Sequence, residues 1–180
     1  MTVPRFPLLA ACTALLLGGC WYSSSVSGSR DGTADLRAID ATNAAITPQQ
    51  ARTFVSGRTW RASEGSAGQQ VHYSAADGRD FAWLPGQTRI LAGEWRIDTA
   101  SDGRGRSVTR FCLRYPAEAV HPISKAAGGD WYCRPAGSAF HWVREGVNGD
   151  PLALDGRTAA PFVLSFNNQT IAQLQARIER

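Results

Sequence analysis

Residues 91–115 alternate in two runs, joined by a polar, glycine-rich turn. Leu91, Gly93, Trp95 and Ile97 share one side of the first run, with Glu94, Arg96 and Asp98 on the other. In the second run Thr109, Phe111, Leu113 and Tyr115 share a side, opposed to Arg106, Arg110, Cys112 and Arg114. Side chains of a strand point to alternate faces, so the stretch predicts an antiparallel hairpin with one buried and one wet face. In that pairing Glu94 and Asp98 stand on the strand beside the arginines and can balance them.

The same signal recurs on either side. Residues 59–62 read as a strand and 64–68 as a turn. Val71, Tyr73 and Ala75 alternate with Gln70, His72 and Ser74. Asp77-Gly78 is a hairpin turn, because glycine takes the positive φ that such turns require. Phe81 and Trp83 continue the alternation as far as Pro85-Gly86. Residues 116–130 read as loop, and 131–133 with 139–144 as a further hairpin about Pro135-Ala136-Gly137. Short strands separated by glycine turns imply a sandwich or a closed barrel. Trp60, Tyr73, Phe81, Trp83, Trp95 and Phe111 would then fill one interior.

Helical signals flank these strands. Thr47-Pro48-Gln49-Gln50 supplies an N-cap hydroxyl, a proline at the first helical position and a capping-box glutamine. Ala51, Phe54 and Val55 follow as an apolar face, and Gly57 as a left-handed stop. Residues 34–46 are alanine-rich with poor caps. Residues 169–180 carry Ile171, Leu174 and Ile178 on one stripe, with Asn168 as the cap. The expected fold is mainly β: a small antiparallel barrel with a short N-terminal and a C-terminal helix.

The first residues address location. Arg5 precedes an apolar run over residues 8–17, and Leu17-Gly18-Gly19-Cys20 follows. The run is too short to span a hydrocarbon layer of roughly 30 Å but suits a signal-peptide core. The segment resembles the lipobox of bacterial lipoproteins. That resemblance implies a signal peptide over 1–19 and lipidation of Cys20. Residues 21–33 are Ser- and Gly-rich with few apolar side chains, so 20–46 reads as the lipidated cysteine and a flexible tether, leaving one domain over 47–180. Stable anchoring takes more than one acyl chain. Trp21, in place of an aspartate, implies sorting to the outer membrane, with the domain facing the periplasm.

Once Cys12 leaves with the signal and Cys20 carries lipid, Cys112 and Cys133 remain. An even pair in an oxidising compartment favours a disulfide, worth about 3 kcal/mol by chain entropy. Ser56-Gly57-Arg58-Thr59-Trp60, Asp77-Gly78, Gly93-Glu94-Trp95 and the cysteine pair occur in an order that resembles an uncharacterised family of small exported bacterial proteins with a lipocalin-like barrel. The resemblance implies a fold and a location and brings no activity with it. Lipocalins carry Gly-x-Trp on the first barrel strand, whereas here it falls on a middle one.

Chemistry-bearing motifs are sparse. His72 and His141 fall in strand-like runs and His121 in a loop. With Asp80 or Asp130 as a third ligand, the strand histidines would form the type of set that zinc accepts. No HExxH or HxH spacing fixes that geometry, so they read as structural and no metal or cofactor is assigned. There is no Gly-x-Ser-x-Gly elbow. Asp77, Asp102, Asp150 and Asp155 belong to turns, and no residue is assigned a catalytic role. The net charge of +4 is spread among acids and does not argue for nucleic acid. Arg104, Arg106, Arg110 and Arg114 are the candidate partner surface, since the guanidinium fork suits phosphate and carboxylate. The chain therefore reads as a lipid-anchored, non-catalytic binding or structural module. Its partners would be the membrane, through Cys20, and an anionic lipid, a glycan or an envelope protein. A carrier of a small hydrophobic or lipid ligand, or a cell-wall glycan hydrolase or inhibitor, is the alternative.

Overall fold

A computed structural model describes residues 32–63, 68–120 and 127–180. The signal segment, Cys20, the tether up to residue 31, most of the 64–68 turn and His121 lie outside the described residues. Within the stretch read as tether, Gly32–Ala45 is helix α1. It packs on the body through Asn43, whose Oδ1 accepts the Ser138 N–H at 2.9 Å. Helix α2, Pro48–Val55, begins as the sequence predicts: Thr47 and Gln50 form a reciprocal capping box.

The strands are β1 (Arg58–Ser63), β2 (Gln69–Ser74), β3 (Arg79–Trp83), β4 (Leu91–Ser101), β5 (Ser107–Arg114), β6 (Tyr132–Pro135) and β7 (Val143–Asn148). They form one antiparallel seven-stranded sheet in the order β6-β5-β4-β3-β2-β1-β7. The central hairpin is in the expected register, with Trp95 beside Leu113, Ile97 beside Phe111, Glu94 beside Arg114 and Asp98 beside Arg110. Helix α2 touches β1 as well as β4 and β5. One short helix reaches both ends of that span because the sheet curls around it into a half-barrel.

Three expectations are corrected. Residues 131–144 do not form a hairpin: β6 pairs with β5, Ala136–Phe140 is helix α3, and β7 crosses to pair with β1. The aromatic side chains do not share one interior either. Trp60, Trp95 and Phe111 pack with Val55 on the concave face, joined by Phe140. Phe81 and Trp83 point the other way, into a second core with Val71, Leu152, Leu154, Leu164, Ile171 and Leu174. The period of two says which residues share a face but not whether each face is covered. Here the chain beyond β7 and helix α4 (Ile171–Ile178) cover the convex side of β1–β3. The cap of α4 is Thr170, with Gln173 completing a capping box, rather than Asn168.

Candidate functional site

The β2–β3 register sets Ser74 beside Asp80, and the β3–β4 register sets Gly93 beside Asp80. Asp80 therefore points into the concave interior, where it is fully buried. An unpartnered carboxylate there would cost several kcal/mol, and three donors converge on it. Ser74 donates to Oδ1 at 2.7 Å, the Tyr115 hydroxyl donates to Oδ2 at 2.6 Å, and His72 Nδ1 lies 2.9 Å from Oδ2. A carboxylate only accepts, so His72 Nδ1 carries the hydrogen. The relay extends outward: Trp60 Nε1 donates to Ser74 Oγ at 2.9 Å, and the Trp60 ring stacks flat on His72 with centroids 4.1 Å apart. His72 Nε2 is buried with no hydrogen-bond partner among the described residues.

Tyr115 follows the last residue of β5 and reaches back across β4. It can do so because position 93 has no side chain: a Cβ there would collide with the Tyr115 ring and the Arg114 carbonyl. Burial, the Asp80 charge and the hydrogen bond given to Asp80 together push the Tyr115 phenol well above its ordinary value of 10.0. It stays a protonated donor.

Ser74, Asp80 and His72 are the residue types of a hydrolase triad in the wrong order. A nucleophilic serine passes its proton to a base, with the acid behind the base. Here the acid stands between serine and histidine, and Ser74 is itself buried. The arrangement fixes Tyr115, His72 and Trp60 in place, which makes it a brace.

The arginines singled out in the sequence divide into two places. Arg104 and Arg106 belong to the β4–β5 turn, where both backbone N–H groups donate to Asp102 Oδ1 and Arg106 Nε donates to Oδ2 at 2.8 Å. These bonds, led by the Arg106 N–H, hold the Asp102 carboxyl below its ordinary value. Arg110 and Arg114 lie on the convex face of β5. Arg110 Nη2 donates to Asp98 Oδ2 at 2.8 Å, and this bond, more than any other contact, holds the Asp98 carboxyl down. Arg114 pairs with Glu94. Arg96 belongs to the same face: its guanidinium lies 4.2 Å from the Trp131 ring centroid, and that of Arg114 lies 4.8 Å from it. Arg96 and Trp131 were missed as site residues, although Arg96 was assigned to the wet face. Counting two residues back from Cys133, to the residue just ahead of β6, would have placed Trp131 there as well.

Cys112 and Cys133 stand opposite each other on β5 and β6 and form the disulfide. The Asp98 carboxylate lies within 4.8 Å of both sulfurs. Its oxygens are already taken by the Thr99 N–H and Arg110. Of the histidines, His72 meets Asp80 as described. His141 caps the C-terminus of α3 with its ring against Trp142.

No protein family, curated protein or solved structure matches this chain.

Proposed function

We propose that the chain is a lipid-anchored lipoprotein of the bacterial envelope. It is held at the outer membrane by acylated Cys20, faces the periplasm, and binds a partner without catalysing a reaction. The observation that carries this reading is the contrast between the two sheet faces. The concave face is filled by Trp60, Trp95, Phe111, Val55 and Phe140 around the Asp80 brace. The convex face of β4 and β5 presents Arg96, Arg110 and Arg114 with Trp131. A filled interior supports recognition at the surface over enclosure of an apolar ligand, and guanidiniums beside an indole suit an anionic partner. The Cys112–Cys133 bridge supports an oxidising compartment. An antiparallel meander curled around a helix supports the lipocalin-like reading of the fold.

The test is expression of the full chain in a bacterium with an outer membrane, with labelled palmitate and a photo-crosslinking residue at position 131. The reading expects label, outer-membrane fractionation and an adduct with an envelope component. Cys20→Ser should lose the label and the fractionation. An unlabelled wild-type chain, or no adduct at 131, would overturn it.

A further inference from the structure

A groove of 480 Å³ opens where Tyr115 reaches the surface, lined by Arg79, Glu94, Arg114, Tyr115, Pro116 and Gly129 among others. Register makes its polar wall. Arg79 on β3 stands beside Glu94 on β4, and Glu94 stands beside Arg114 on β5. A cation, an anion and a cation thus form a row across three strands. Their side chains are 51%, 50% and 42% exposed, so each keeps capacity for a ligand. Arg79 is held from behind by Asp77 and Asp155, each at 2.8 Å, and Arg114 lies against Trp131. Tyr115 is fixed from inside by Asp80. The wall is therefore set before any ligand arrives, which lowers the entropy lost on binding.

We infer that this groove binds a carboxylate-bearing sugar of an acidic glycan; the inference rests on the binding reading above and names its ligand class. The guanidinium forks match a planar carboxylate. Glu94 between them only accepts: Arg114 donates to its Oε2, and sugar hydroxyls supply donors for its remaining lone pairs. A bare phosphate brings charge for the arginines and repulsion for Glu94. A neutral sugar brings hydroxyls for Glu94 and nothing for the forks. Pro116, Ala117 and the glycines give a low wall against which a sugar ring can lie.

The test is titration of the purified full chain in detergent with trigalacturonate, maltotriose and inorganic phosphate, read by calorimetry. Trigalacturonate should bind saturably and more tightly than either control. Arg114→Gln should weaken it about tenfold, the loss of one charge-assisted contact. Glu94→Gln should narrow the preference for trigalacturonate over phosphate, since it removes the repulsion and leaves fewer acceptor sites for the hydroxyls. Arg144→Gln, on exposed β7, should change nothing. Equal binding of trigalacturonate and maltotriose, tighter binding of phosphate, or equal loss in Arg114→Gln and Arg144→Gln would overturn the inference. No binding of trigalacturonate, with the adduct at 131 retained, would remove the groove ligand and leave the binding reading standing.

Discussion

The ring of Tyr115 occupies the space that a side chain at Gly93 would need, and through that gap its hydroxyl reaches Asp80 at 2.6 Å. The glycine of Gly93-Glu94-Trp95 is required by a close approach, since nothing about its backbone dihedral demands it. Trp95 of the same motif turns its Nε1 onto the Ala75 carbonyl at 2.8 Å, tying β4 to the β2–β3 turn.

Gly93→Ala should lower stability by about 1–3 kcal/mol, because one of the obstructing atoms is backbone and cannot swing away. Tyr115→Phe should cost about 1–3 kcal/mol by removing a donor from a buried carboxylate. Urea unfolding of both single variants and the double variant checks this. The double variant should lose less than the sum, since both act on one contact.

The paired carboxylates set an acid limit. Asp77, Asp98 and Asp102 all have folded values below the ordinary 3.8, each held there chiefly by hydrogen bonds from arginine side chains or backbone. The unfolded chain then binds more protons near that value than the folded one does. Their stabilisation is complete above the ordinary value and drains away as pH falls through the folded values. The urea midpoint, followed from about pH 6 to about pH 2, should fall, and Asp98→Asn should shrink the fall.

Tyr115 sets the opposite limit. Its value is raised, so above pH 10.0 the unfolded chain gives up a proton that the folded one retains. Stability should therefore decline as pH rises beyond that point. Tyr115→Phe should remove this part of the base-induced loss, and an unchanged slope would argue against the inward-facing hydroxyl.

The disulfide ties β6 to β5, and β6 leads directly into α3, whose Phe140 stacks on Phe54 and packs on Phe111. Reduction, or the double change Cys112→Ala and Cys133→Ala, should cost up to about 3 kcal/mol. Hydrogen exchange should rise first in residues 132–140 if the bridge holds that segment down.

Local features were legible in the sequence. The 91–115 hairpin followed from alternation, the pairing of Arg110 and Arg114 with acids followed from the hairpin, and the α2 cap followed from Thr47 and Gln50. What could not be read were the long-range partners. Nothing local says that β7 joins β1, or that the chain beyond residue 150 covers the convex face. The brace lies between these extremes. A two-residue Asp77-Gly78 turn would set Ala75 against Asp80, but the loop spans residues 76–78 and sets Ser74 there and His72 against Ala82; only the pairing of β2 with β3 was available. The arrival of Tyr115 was not, because it depends on how two further strands stack beside the first pair.

Asp80 holds three donors in the interior, and equilibrium urea unfolding of Asp80→Asn tests that brace most directly. The amide has nearly the same shape but offers one acceptor and turns a donor toward groups that are themselves donating. The predicted result is a loss of about 3 kcal/mol or more with a cooperative transition retained. A midpoint equal to that of the wild type would contradict the brace, and with it the fixed Tyr115 on which the groove depends.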